Sequence, residues 1–263
     1  MRIALACLLL AACGDPHGSN VDAAPHPVDA APDAKPDGAP PAGAQGMLTV
    51  VENSYNGTAD SDIDVLFATT SIWGTMVGTD GPCVAYEDPA SKGVSAGTVT
   101  ISGTTSLVTA TPEGAAPSVT YDTSTLPTDL FTAGATITVQ ASGSADVAGF
   151  TATAVAPASV AGFTPPTTLN RTTGTTLTWT AGTGPKMMLA LVGFTEQHVR
   201  IVLCRINDTG SYSLSASNLA LLPATSTTNS GGMLSFGRLA ETTVSNMDLL
   251  VMSNVQKDVT FTP

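Results

Sequence analysis

The chain has 263 residues and a formal net charge of −12, with 9 Lys plus Arg against 21 Asp plus Glu. Only 11% of residues are charged and 5% aromatic, where an average soluble domain has about 25% charged. So few cations exclude an electrostatic footprint for nucleic acid, and so few Glu, Lys and Arg leave little material for long amphipathic helices or coiled coils.

The first element is a leader. Arg2 precedes an apolar run from Ile3 to Ala12. That run is too short to span a bilayer as a helix, which takes about 20 residues, and suits the core of an export signal over residues 1–12. It ends in Leu10-Ala11-Ala12-Cys13 followed by Gly14, which resembles the lipobox of bacterial lipoproteins. The resemblance implies cleavage before Cys13, a diacylglycerol thioether on its sulfur and a further acyl chain on the new N-terminus. Each buried methylene adds about 0.8 kcal/mol, so several chains give stable anchoring where one is marginal. Gly14 in place of Asp is similar to the pattern that sorts such proteins to the outer membrane. The covalent lipid is the one non-protein group expected, and the bilayer the one firm partner.

Residues 13–46 follow as a tether. Between Gly14 and Gly46 lie 7 Pro, 8 Ala and 5 Asp. Asp29–Pro41 holds no large apolar residue, so it has too little to bury to offset the entropy of ordering. His17 and His26 lie here among prolines and read as solvated.

Residues 47–263 carry short alternating apolar runs. The predicted strands are 47–52, 65–77, 83–86, 98–102, 106–110, 118–121, 135–141 and 149–155. A second group follows at 176–180, 187–193, 199–206, 211–214, 233–242, 248–252 and 258–261. Only 215–222 reads as helix. With 40 Thr and 22 Ser in the chain, the strand preference is strong. The fold class is an all-β, Ig-like sandwich, either single or as two packed halves, with a sub-boundary near the prolines of 157–168.

The segments Leu177-Thr-Trp-Thr-Ala, Val202-Leu-Cys-Arg, Gly210-Ser-Tyr-Ser-Leu and Ser95-Ala-Gly-Thr-Val-Thr-Ile-Ser-Gly, with the leader and tether, resemble uncharacterised envelope lipoproteins of the myxobacterial type. The resemblance implies an Ig-like β-sandwich in the periplasm or at the cell surface. It implies no activity and no functional residues.

Of the four cysteines, Cys7 leaves with the leader and Cys13 is lipidated. Cys83 and Cys204 remain, in an exported compartment that permits disulfides. They form one bridge or stay as two buried thiols. The Ig pattern of Trp after the first Cys, and Tyr two before the second, is not met: Trp179 is far from Cys83, and Val202 stands before Cys204. Asp208-Thr-Gly-Ser-Tyr212 resembles a tyrosine corner.

Three motifs carry chemistry in principle. Gly93-Val-Ser95-Ala-Gly97 matches a nucleophile elbow, with Asp122, Asp129 or Asp146 and then His198 in a suitable order. A strand follows it where the elbow needs a helix. Asp60, Asp62 and Asp64 alternate either as the hard oxygen ligands of a calcium-binding loop or as charges on a guarded sheet edge. Trp73, Trp179, Tyr55, Tyr86, Tyr121 and Tyr212 are the aromatics that a sugar platform would draw on. The functional expectation is a non-enzymatic, anchored binding or structural module, with an unknown envelope protein or glycan as partner. The alternatives are a serine hydrolase using Ser95 and a calcium- or glycan-dependent adhesion module.

Overall fold

The computed structural model describes residues 44–90, 92–123, 125–182, 186–194, 198–223 and 231–263. The leader, Cys13 and the tether up to residue 43 lie outside the described residues. Two hairpins come first: β1 (Gln45–Tyr55) with β2 (Thr58–Ala68), and β3 (Thr75–Asp80) with β4 (Cys83–Glu87). A separate antiparallel sheet follows, formed by β5 (Val99–Ser102), β6 (Val108–Glu113), β7 (Thr120–Thr123), β8 (Thr136–Ala141) and β9 (Phe150–Val155). The chain then runs through β10 (Thr168–Asn170), β11 (Thr175–Thr178), β12 (Lys186–Phe194), β13 (Val199–Ile206), β14 (Ser211–Leu214) and the short helix α1 (Ala216–Ala220). The two longest strands, β15 (Gly231–Val244) and β16 (Met247–Thr262), complete it.

The main sheet has the order β2-β1-β16-β15-β12-β13-β4-β3, with β10 added beside β16. Its end strands β2 and β3 are neighbours in sequence, joined by residues 69–74 alone. Seven strand spacings across a flat sheet come to about 34 Å. The seven steps from Ala68 to Thr75 reach at most about 25 Å. The sheet therefore curls, and residues 69–74 run across the gap between its ends. Residues 88–90 and 92–94 return the same way: Asp88 N donates to Val199 O, Ala90 N to Ile72 O, and Val94 N to Phe67 O. Ile72 is buried among the side chains of the concave face, which include Met47, Met188, Met233, Met252, Leu66 and Leu203. Methionine suits so tightly curved an interior because its thioether adapts to irregular space.

The convex face carries two further cores. Over β1, β2 and part of β16, residues such as Leu48, Val65, Phe67 and Val251 pack against Val99, Ile101, Ile137 and Val139 of the five-stranded sheet. Over β4, β12, β13, β15 and the far half of β16, residues such as Leu191, Phe236 and Phe261 pack against Leu169, Leu177, Trp179 and Leu219. The fold is thus all-β and sandwich-like, with one curled sheet shared by two covering layers. Strands covered on both faces read as unbroken apolar runs, such as Met187–Val192, whereas β8 alternates because its outer face is wet.

Several element bounds differ from expectation. The run 65–77 is not one strand: it stops at Ala68 and resumes at Thr75. β2 begins earlier, at Thr58, so the three aspartates lie on an end strand, the edge reading rather than the loop. The runs 248–252 and 258–261 are one strand, because Asn254 and Gln256 are buried polar residues of the concave face rather than turn formers. β10 was not expected. The helix over 215–222 shortens to Ala216–Ala220. Ser215 caps it by accepting from Asn218 N at 3.0 Å, and Asn218 Oδ1 accepts from Ser215 N at 3.1 Å. The proline-bearing stretch 156–167 is the irregular connection from β9 to β10.

Cys83 and Cys204 are disulfide-bonded. They stand directly opposite each other on β4 and β13, with Cα atoms 4.0 Å apart and 121 positions between them in sequence. Tyr212 OH lies 3.4 Å from Cys83 Sγ and donates to Asn218 Oδ1 at 3.0 Å, so it pins α1 instead of forming a tyrosine corner with upstream backbone. Trp179 packs edge-on to Phe236, not on the disulfide. Its Nε1 donates to Asp208 Oδ1 at 2.6 Å, and Asp208 Oδ2 accepts from Arg238 Nε at 2.8 Å. Arg238 also donates to the carbonyls of Ser159 and Thr180, at 2.5 and 2.8 Å. This buried group fastens the 156–182 segment to β15.

Closing a loop this long constrains the unfolded chain by about 4–5 kcal/mol in the chain-entropy model. Cys83→Ala with Cys204→Ala is expected to lower the stability from urea unfolding by an amount of that order. An unchanged midpoint would show that the bridge contributes nothing.

Candidate functional site

The aspartate series lies on β2, an end strand of the main sheet. Asp60, Asp62 and Asp64 share one face and stand opposite Asn53, Val51 and Thr49 of β1. Thr49 is fully buried, and its Oγ1 accepts from Asp64 N at 3.3 Å. Same-face neighbours on a strand are about 6.8 Å apart, so three such carboxylates do not close on one ion. Inward charges on an end strand instead oppose pairing with another sheet. Burial, and then the charge of Asp64, raise the Asp62 carboxyl to about 7.

Ser95 is placed as a turn former. Its Oγ accepts from Gly97 N at 3.0 Å, its N donates to Asp146 Oδ2 at 3.4 Å, and its carbonyl accepts from Ser144 Oγ at 2.5 Å. Tyr121 OH accepts from Ala96 N at 2.7 Å and donates to Gly97 O at 3.1 Å. β5 follows, with no helix. His198 belongs to a different group, at the start of β13, where Nδ1 is 2.6 Å from Asp88 Oδ2. The structure does not assemble Ser95 and His198 into one hydrogen-bonded unit.

The aromatic candidates are dispersed with one exception. Trp179 is buried on Phe236, Tyr121 meets Phe67 edge-on at 5.7 Å, Tyr212 sits by the disulfide, and Tyr55 OH donates to Asp258 at 2.9 Å. Trp73 and Tyr86 are neighbours, with ring centroids 5.7 Å apart and planes tilted by 38°. Both are half-buried on the concave side of the sheet, and Met76, opposite Tyr86 in register, is 62% exposed.

This corner also gathers charge. Glu87 closes β4 opposite Arg200, whose guanidinium pairs with Glu87 Oε2 through Nε at 3.0 Å and through NH2. Asp88 Oδ1 accepts from Val199 N at 3.1 Å while Oδ2 meets His198. Asp88 adopts φ 53°, a left-handed backbone that asparagine and aspartate tolerate better than most. Gly74, at φ 73°, lets the 69–74 segment lie directly on the carbonyls of Glu87 and Asp88, where a Cβ would collide. That contact brings the residue after Trp73 onto the Asp88 backbone.

Among the described residues, Glu87, Asp88 and His198 form the one set of three such side chains whose ligand atoms converge. Arg200 on Glu87 and His198 on Asp88 already balance those charges, so the set reads as two ion pairs. Hydrogen bonding to Asp88, and then its charge, hold the His198 pKa above its ordinary value, and the same bond lowers Asp88. The sequence offers His198 as a base for Ser95 or as a strand or edge residue and gives no signal for Asp88, because their pairing spans 110 positions.

Two pH-dependent outcomes follow. Asp62 has a raised folded pKa, so the folded state holds an extra proton between about pH 4 and about 7. Its destabilising effect grows as pH rises through that window. Tm is expected to fall from pH 5 to pH 8, and Asp62→Asn to flatten the decline and raise Tm at pH 8. A steeper decline in the variant would contradict the assignment. For His198, NMR titration should give a pKa above 6.5, returning toward it in Asp88→Asn. The pair's small contribution is complete below about pH 6.5 and disappears as pH passes the raised value.

No protein-family model matches this chain, and no curated protein sequence matches it significantly.

Proposed function

We propose that this chain is a membrane-anchored lipoprotein of a bacterial envelope whose all-β module binds or scaffolds without catalysis. The observation that carries the reading is the Cys83–Cys204 disulfide in a module that follows Leu10-Ala11-Ala12-Cys13. A structural disulfide belongs to an oxidising compartment, and the leader supplies both export and the lipid-bearing cysteine. No described helix is long and apolar enough to cross a membrane. Attachment in this reading is covalent, through acyl chains on Cys13. Gly14 favours the outer membrane, with the module facing the periplasm or the surface. Support for a non-catalytic role comes from Ser95, whose oxygen serves a turn and whose expected base is engaged elsewhere. The partner in this reading is an envelope protein or glycan.

The test is expression of the full chain, with its leader, in a diderm bacterium fed labelled palmitate. The wild type is expected to take up label and to sediment with membranes. Cys13→Ala is expected to lose both. A variant that still sediments with membranes would overturn the anchor, and loss of a measured esterase activity in Ser95→Ala would overturn the non-catalytic reading.

A further inference from the structure

Trp73, Tyr86, Met76, Asp88 and His198 gather at one corner, where the β3–β4 hairpin meets the start of β13. From it we infer a binding site for an uncharged sugar unit of a polysaccharide, which names the ligand class of the binding module proposed above and rests on that reading.

Three observations carry it. The first is the aromatic pair. Trp73 and Tyr86 lie 5.7 Å apart, half-buried and mutually tilted, with exposed Met76, opposite Tyr86 in register, extending the apolar surface along β3. Sugar rings present C–H faces that pack on such aromatic surfaces, and a side chain with an apolar body and a polar tip suits a site that is greasy at one end and wet at the other.

The second is the polar rim. Asp88 and His198 keep 53% and 46% of their side-chain surface while bonded to each other. A carboxylate oxygen has more lone pairs than one imidazole can use, so Asp88 can accept from sugar hydroxyls while His198 holds it in place.

The third is charge. Glu87 pairs with Arg200 and Asp88 with His198, so each of these carboxylates already faces a basic side chain. That complements a neutral polyhydroxyl ligand better than a nucleotide, a phosphate or a free cation. The corner is also rigid, because the Gly74 contact fixes the 69–74 segment on β4.

The chain has two tryptophans, and Trp179 is 6% exposed, so Trp73 is the reporter for an added ligand. The full chain carrying Cys13→Ala, to keep it in solution, is titrated with cellohexaose, maltohexaose and N-acetylchitohexaose while tryptophan fluorescence is followed. At least one is expected to give a saturable change. Trp73→Ala should weaken binding by about tenfold or more when read by calorimetry, a loss of about 1.4 kcal/mol. Asp88→Ala, which leaves the rings in place, should weaken it severalfold with the Trp73 signal retained. If Trp73→Ala fails to fold, Asp88→Ala and Met76→Ser decide the question. The inference is overturned if none of the three sugars binds saturably, or if a folded Trp73→Ala or Asp88→Ala variant binds as tightly as its parent. Capture of an envelope protein dependent on Trp73, with all sugars silent, would also overturn it. Failure here leaves the palmitate and sedimentation results untouched, so the two readings fail separately.

Discussion

The whole architecture depends on the pairing of the last strand. β16 lies between β1 and β15, in parallel with the first and antiparallel with the second, and takes β10 beside its far end. Leu249 and Val251 serve the core under the five-stranded sheet, Val259 and Phe261 the core under α1 and β11, and Leu250 and Met252 the concave face. One strand therefore contributes to every hydrophobic core. The hairpin β1–β2 reaches the rest of the main sheet only through it. The parallel pairing of β1 with β16 joins segments about 200 positions apart in sequence, a non-local contact of the kind that slows folding.

The curl that β16 helps to hold also shapes the candidate site. Because β2 and β3 end up close, residues 69–74, 88–90 and 92–94 are drawn over the gap, and Trp73 and Asp88 arrive at one corner. The disulfide holds one end of the β4–β13 pair, and Asp88 with His198 closes the other. The aspartates of β2 sit at the opposite end of the strand order. There they guard the exposed end strand, and they cost stability as Asp62 ionises. The same residues that look like ligands in sequence are, in the fold, edge charges facing inward.

How much of this was legible follows from the range of each interaction. Runs such as Val199–Ile206 and Thr136–Ala141 declare their strands because side-chain alternation or unbroken apolarity is local. The cysteine pair was legible by counting. The continuity of β16 was not, since Ser253–Lys257 is polar, and its burial depends on a sheet that curls far away in sequence. β10 has three residues and no pattern of its own. The corner was invisible for the same reason: Trp73 and Tyr86 were two of six scattered aromatics, and Asp88 with His198 a pair 110 positions apart. Periodicity reports which side of an element is buried, never which two elements meet.

Native-state hydrogen exchange across a denaturant series tests the central role of β16 most directly. The account predicts that amides of β16 between Leu249 and Val259 exchange only through global unfolding. The protected amides of β5 and β8, and those of β12, should merge with them at the same free energy. If the five-stranded sheet lost protection at a lower denaturant concentration than β12 and β16, the two halves would be independent units, and the shared-strand account would be contradicted.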